Sequence, residues 1–448
     1  NWAIDFAGYV NSFLNEFGIK SDLAKLTGRG KNAIKQVDEN WFQSHSSQCE
    51  QLYKLNRHQE AQAAFENMLE QLEETPNYYR SVTLGWIGRC LAEQKQFESS
   101  ADYFRQSLTE LAQLEQSQKV RKEFGRMQTY LATVLKEMND YSGAKGAYEA
   151  ALNIMRETKD TRNEAAIQSQ LGSLALLYGS PNEAEQRFRL ALPLFKALNL
   201  PKSEADVWHK LGSLYQKHQQ WQTATQAYLQ AAQIREAQSD IVAAIETWYQ
   251  LAQVNQAFGN LPETERWYRK VIEGSKSIRD WKKLSNGYRN VAELLLQTQP
   301  HRLGEALKFA EASLSIDKSL APNESEIWKT YTLLAKIADL QNNSALAQNF
   351  RSLARQANVV NKQGELQQHQ QLIDAVVQTM TKPELRTQLE TMLQQRENKG
   401  WTKLVVAIRK ILNGERNLDN LCDKECLDLT DAVIIQKILQ DISTTFKV

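Results

Sequence analysis

Thr27-Gly28-Arg29-Gly30-Lys31 invites a phosphate-loop reading, because glycines before a lysine can cradle phosphate with backbone N–H groups. The G-x4-G-K-[ST] pattern is not met. Asn32 follows the lysine, no glycine stands five residues before Gly30, and no apolar strand precedes the run. It reads as a basic turn between helices. Cys422 and Cys426 could offer two thiolates to a metal, but a structural zinc site takes four ligands and no histidine or further cysteine lies near them. The acids around them, Asp419, Asp423, Glu425, Asp428 and Asp431, alternate with apolar residues and lack calcium-loop spacing, so they read as a solvated helix entrance. His45, His58, His209, His218, His301 and His369 form no H-E-x-x-H site. There is no G-x-S-x-G, no dinucleotide fingerprint and no cysteine in a protease context. No catalytic residue, metal or cofactor is expected, and the chain reads as a non-enzyme.

Composition narrows the classes further. Lys plus Arg is 54 and Asp plus Glu is 53 in 448 residues, a formal net charge of +1, which argues against a dedicated nucleic-acid binder. Only 8 Pro and 19 Gly interrupt a chain rich in Ala, Leu, Gln and Glu, so helix is expected throughout. No apolar run approaches the roughly 18 residues of a membrane span. The cysteines Cys49, Cys90, Cys422 and Cys426 are too scattered for a disulfide framework, and the expected location is cytoplasmic. The chain begins at Asn1 rather than Met, which leaves open both a whole protein and a processed or trimmed piece of something longer.

The elements that would position any site are set by a repeat. Trp208–Ala231 carries Trp208, Leu211, Gly212 and Tyr215, then Ala224, Tyr228 and Ala231. That order resembles the tetratricopeptide repeat (TPR), W-x2-L-G-x2-Y followed by A-x3-F, in which two antiparallel helices cross closely over small residues. Second-helix anchors recur at Ala61/Phe65, Ser100/Phe104, Ala144/Tyr148, Ala184/Phe188, Ala224/Tyr228 and Thr264/Tyr268, at spacings of 39, 44, 40, 40 and 40 residues. The first-helix small sites are Cys49, Gly88, Ala132, Gly172, Gly212 and Ala252. Two looser units follow near Ala306 and Ala347, with Ala310 and Arg351 where the aromatic belongs. A period near 40 exceeds the standard 34. The surplus is expected between repeats, as in Thr158–Asn163, Asn199–Ser203 and Ser275–Trp281, beside longer helices. That variant resembles the repeats of kinesin light chain, spindle-orientation adaptors and bacterial Rap-type peptide sensors, and the resemblance implies a superhelix that wraps extended peptides or partner helices.

The expected architecture is all-α: a right-handed TPR superhelix of about eight helix pairs over residues 41–357, preceded by an N-terminal cap or the remnant of a domain at 1–40. A polar linker is expected at 358–380 and a small helical module at 381–448. The module would open on a capping box at Thr381-Lys382-Pro383-Glu384, with helices ending near Glu397 and Leu412 and a last one over Leu429–Ile442. Gly400-Trp401, Ala407-Ile408-Arg409, Leu412–Arg416 and Leu427-Asp428-Leu429 resemble tails of cyanobacterial and other bacterial multi-TPR proteins. Several of those are regulators with an N-terminal STAND-type NTPase module.

In TPR arrays the first helix of each pair lines the concave groove, and with the signature Trp as position 4 the groove positions are 2, 5, 9 and 12, one helical stripe. Here that stripe holds Arg89, Arg126, Thr133, Lys136, Ser173, His209, Ser213, Gln216, Tyr249, Gln253, Gln256, Arg289 and Glu293. The paired Lys and Asn of a carboxylate-clamp TPR are incomplete. The bland alternative is a set of solvated helix positions. Trp208, Trp248 and Trp328, near the first packing position, and Trp221, at the turn, are expected to pack the repeat. The expected function is a scaffold that binds a protein or peptide in the groove, and the alternative is the sensor arm of a larger bacterial signalling or defence protein, STAND-like or protease-linked.

Overall fold

The computed structural model describes residues 39–445 apart from 73, 299, 322, 323, 362, 423–426 and 428. The run Thr27–Lys31, nearly all of the expected N-terminal cap, Cys426, Asp423, Glu425 and Asp428 lie outside the described residues. Two compact units divide the chain, Asn1–Ile234 and Arg235–Val448.

The first unit holds α1 (Glu39–Lys54), α2 (His58–Glu70), α3 (Tyr78–Glu93), α4 (Phe97–Gln113), α5 (Gln118–Glu137), α6 (Tyr141–Glu157), α7 (Thr161–Leu177), α8 (Pro181–Ala197), α9 (Pro201–Lys217) and most of α10 (Trp221–Ala237). The second holds α11 (Ile241–Phe258), α12 (Leu261–Ser277), α13 (Trp281–Thr298), α14 (Leu303–Asp317), α15 (Ile327–Leu340) and α16 (Ser344–Asn361). Its C-terminal part is α17 (Gln363–Thr381), α18 (Arg386–Glu397), α19 (Thr402–Leu412), α20 (Leu418–Leu421) and α21 (Leu429–Thr445). No strand occurs among the described residues.

A turn device recurs every 20 residues. Asn139, Lys159, Gly179, Asn199, Gln219, Ser239, Gly259 and Arg279 all have φ between 51° and 85°. The residue after each closes a Schellman-type bond back over the helix end: Asp140 N–H donates to the Leu135 carbonyl at 2.9 Å, and Asp160 N–H to that of Met155 at 2.8 Å. The same aspartates then start the next helix, Asp140 accepting from Gly143 N–H at 2.9 Å and Asp160 from Asn163 N–H at 3.2 Å. Helix end and helix start thus fit into three residues, whether the turn lies within a repeat or between repeats. This corrects the expected wide inter-repeat turn at Thr158–Asn163, Asn199–Ser203 and Ser275–Trp281. The surplus over the standard repeat is spent on helix length, 17 residues in each of α6 to α10.

Within each pair the small site meets the aromatic anchor. A Cβ on Gly172 would sit 2.7 Å from the Phe188 ring, and one on Gly212 would sit 2.6 Å from Tyr228. Phe188 and Tyr228 are themselves at most 1% exposed. Only glycine admits that approach without displacing the ring.

The C-terminal segment builds its own core from Leu372, Ile373, Val376, Leu389, Leu393, Leu404, Ile408, Val433, Ile434 and Ile438. The stretch expected as a polar linker is therefore more than a connection, since α17 supplies three of those buried side chains. Thr381 does not cap the following helix. Its hydroxyl donates to the Gln378 carbonyl at 2.9 Å, and Pro383–Leu385 forms a single 3-10 turn before α18. Gly400 and Gly414, at φ 91° and 102°, end the turns around α19.

Candidate functional site

The first-helix faces carry the expected stripe, and the structure sorts its members by what they touch. Thr133, Gln216 and Gln256 serve the second-helix tyrosines. Thr133 shares a hydroxyl–hydroxyl bond with Tyr148 at 2.9 Å, while Tyr228 donates to Gln216 at 2.8 Å and Tyr268 to Gln256 at 3.1 Å. These rings are buried, so each phenol needs a partner, and a polar side chain one helix away meets it.

The charged members of the first unit are also engaged. The Arg89 guanidinium lies 3.8 Å from the Trp86 ring centroid, 4.7 Å from Tyr53 and 5.0 Å from Tyr130, a cation held among three aromatic faces. Arg126 donates to Glu123 at 2.9 Å; burial pushes the Glu123 carboxyl up despite that partner. Lys136 pairs with Glu137 at 3.0 Å. Ser173 accepts from Lys210 Nζ at 3.0 Å, and burial lowers the Lys210 pKa. His209 meets Tyr228 edge-on with centroids 5.1 Å apart, and Ser213 is exposed. Lys210 was missed from sequence because it stands one position beyond the groove register.

In the second unit three successive first helices form a cleft of about 420 Å³. Tyr249 comes from α11, Asn286, Arg289 and Glu293 from α13, and Trp328, Lys329, Thr332 and Lys336 from α15. Gln253 is half-buried on α11 and is not part of this wall. Lys336 bridges to Glu293 at 3.4 Å, and Glu326 takes Lys329 at 2.6 Å and Arg289 at 2.7 Å. Of the expected residues, Tyr249, Arg289 and Glu293 are brought together here. Asn286, Lys329, Thr332 and Lys336 were legible in principle. Taking Ala335 as the small site of α15 puts Tyr331 at position 4 and Lys329, Thr332 and Lys336 at 2, 5 and 9. Trp328, expected to pack the repeat, stands three positions before Tyr331 and lines the cleft instead; Trp248 is buried as expected.

Arg289 is a correction of kind. Its side chain is 9% exposed, and its guanidinium also reaches Asp317 at 3.2 Å and Thr330 at 3.3 Å. Ser285 donates to Asp317 at 2.7 Å and bonds Ser313 at 2.8 Å. The arginine is the floor of the cleft and the centre of a buried network tying α13, α14 and α15, not a free cation awaiting a partner.

Among the described residues no group of three His, Cys, Asp or Glu side chains is placed to hold a metal ion, and no helix is long and apolar enough to cross a membrane.

Stacked helix pairs with a polar first-helix face define a helical-repeat protein. Residues 123–197 match the family model described as tetratricopeptide repeat, and residues 177–295 match one described as an uncharacterized protein conserved in bacteria. Residues 123–197 thus carry tetratricopeptide repeats. No curated protein matches the chain's sequence. Among solved structures it is similar to a signal transduction ATPase with numerous domains (STAND) with a tetratricopeptide repeat sensor from Pyrococcus horikoshii, at 15% identity and a TM-score of 0.54, covering 79% of this chain and 52% of that one. The chain thus spans about half the length of that relative. The apo quorum sensor NprR from B. thuringiensis is 15% identical over 79% of this chain and 97% of its own, with a TM-score of 0.46. BtubC from P. vanneervenii is 20% identical over 55% and 93%, with a TM-score of 0.41.

Proposed function

We propose that this chain is a non-enzymatic scaffold that grips an extended protein segment along its first-helix face, with the α11–α13–α15 cleft as the best-formed part of the grip. One observation carries this: the same register positions of successive first helices converge on a single polar cleft. Side-chain amides of Asn286 and Asn290 and the Thr332 hydroxyl suit peptide backbone groups. Lys329 and Lys336 suit acidic side chains, and Trp328 offers an apolar face. Both signs of charge line the wall, which favours a chain of mixed side chains over a uniformly charged polymer.

Panning a random peptide library on the full chain tests the reading. Enriched peptides should lose most of their affinity to Lys329→Ala with Thr332→Ala, both exposed or half-buried positions that leave the core intact. Equal binding to wild type and variant, or no enrichment over an unrelated helical protein, would sink it.

A second reading makes the chain the sensor arm of a larger signalling protein, on the strength of the fold match to about half of a STAND protein that has a tetratricopeptide repeat sensor. The reading frame upstream of Asn1 decides it. A nucleotide-binding module in that frame supports the idea, and a start codon just before Asn1 ends it.

A further inference from the structure

Arg89 of α3 stands on the first-helix face of the first unit, half-buried and without an ion pair among the described residues. The carboxylates that share this face are committed elsewhere. Glu93, one turn along α3, accepts from the Tyr53 hydroxyl at 3.0 Å. Glu123 of α5, 4% exposed at its side chain, accepts from Arg126 at 2.9 Å. Glu50, at the matching position of α1, faces Lys54 at 4.0 Å. The polar neighbour of Arg89 is the Tyr53 hydroxyl, which occupies at most one N–H edge of the guanidinium.

What holds Arg89 in place is a set of rings from three successive first helices, Tyr53 of α1, Trp86 of α3 and Tyr130 of α5. Contacts of this kind occupy the faces of the guanidinium plane and leave its N–H edges for hydrogen bonds. Two of the rings are themselves anchored in the core. Trp86 stacks on Phe65 with centroids 5.3 Å apart, and Tyr130 on Phe104 at 5.7 Å. Phe65 and Phe104 are at most 1% exposed. The arginine is therefore preorganised on a fixed aromatic bed, and Trp, Tyr and Arg are the residue types that dominate protein–protein hot spots.

We propose that Arg89 and its three rings are the docking point for one acidic side chain, Asp or Glu, of an extended protein segment. This rests on the reading that the first-helix face grips such a segment, and it supplies the anchor in the first unit. One guanidinium fork matches one carboxylate, and the half-buried Trp86 offers a face to the methylene stem beside it. A phosphate carries close to two charges and calls for a second uncommitted cation. Arg126 does not provide one, since it is spent on Glu123. The arrangement differs from the paired lysine and asparagine of a carboxylate clamp, which is incomplete in this chain.

Three short peptides of equal length carry the same neutral fluorophore and alternate Gly with Glu, Gln or phosphoserine. Each is titrated into the full chain at low salt and followed by fluorescence anisotropy. The Glu peptide should bind at least about tenfold tighter than the Gln peptide, and added NaCl should shrink that advantage. Arg89→Gln, checked for fold by circular dichroism, should abolish the advantage. Arg89→Lys, which keeps the charge and loses the fork, should retain only part of it. No binding by any of the three, equal binding of the Glu and Gln peptides, an advantage that survives both substitutions, or Arg89-dependent binding of the phosphoserine peptide alone would overturn the proposal. Library-selected peptides that bind while Arg89 adds nothing for Glu would remove this anchor and leave the gripping face. An Arg89-dependent advantage with no peptide enriched from the library would keep the anchor and sink the cleft in the second unit.

Discussion

Lys159 and Arg279 hold left-handed backbone at turns where glycine would be unstrained, at φ 55° and 58°. A non-glycine residue in that region costs about 1–2 kcal/mol. Lys159→Gly should therefore raise stability by up to about 1 kcal/mol, after allowance for the looser unfolded chain, and a higher urea midpoint at unchanged slope is the check. Arg289 lies at the opposite extreme. Removing it strands Asp317, 1% exposed at its side chain, without its cation. Arg289→Ala should cost about 3–5 kcal/mol, measured by chemical denaturation. Any loss of partner binding in that variant would report unfolding of the α13–α15 region rather than a lost contact. At this scale the sequence named the groove stripe but could not say which members were already engaged. Gln216 and Gln256 look alike in sequence to any solvated glutamine, and only the approach of Tyr228 and Tyr268 from the next helix gives them a task.

Helix α12 is joined to the α13–α14 turn by a four-member ion cluster. Glu265 accepts from Arg302 at 2.7 Å and Arg269 at 2.7 Å, and Glu305 pairs with both arginines. The Arg302 hydrogen bond, with Arg269 beside it, holds the Glu265 pKa down to about 2 from 4.5. A depressed carboxylate contributes stability that is fully present above its unfolded pKa and is lost as pH falls through the folded one. Destabilisation of this region should begin below about pH 4.5 and continue toward about 2. Glu265→Gln should be less stable than wild type at neutral pH and should flatten that acid limb, followed by thermal melts across the range. The helices themselves were readable from sequence, because a 3.6-residue apolar period and recurrent Asn or Asp caps are local signals. Register in α15 was not. Trp328 imitates a signature residue, and only the packing of Ala335 shows that Tyr331 holds position 4.

Within each unit the helix pairs lean on their neighbours, and the C-terminal segment keeps a core of its own, so damage should stay local. Ile408→Ala opens a cavity in that module, at a site 0% exposed, and should cost about 2–5 kcal/mol there. Hydrogen exchange should quicken over α17 to α21 and at α16, while α3 to α8 keep their protection. Faster exchange in α3 to α8 as well would contradict the local picture. The repeat class, the helix-pair order and the small-site-to-aromatic pairing were determined by sequence alone, because each depends on spacings of a few residues that recur about every 40. The length of the helices against the width of the turns, the buried role of Arg289 and the cleft on α11, α13 and α15 were decided only by tertiary structure. Each of these depends on which side chains from distant helices arrive within hydrogen-bonding distance, and a linear pattern does not encode that distance.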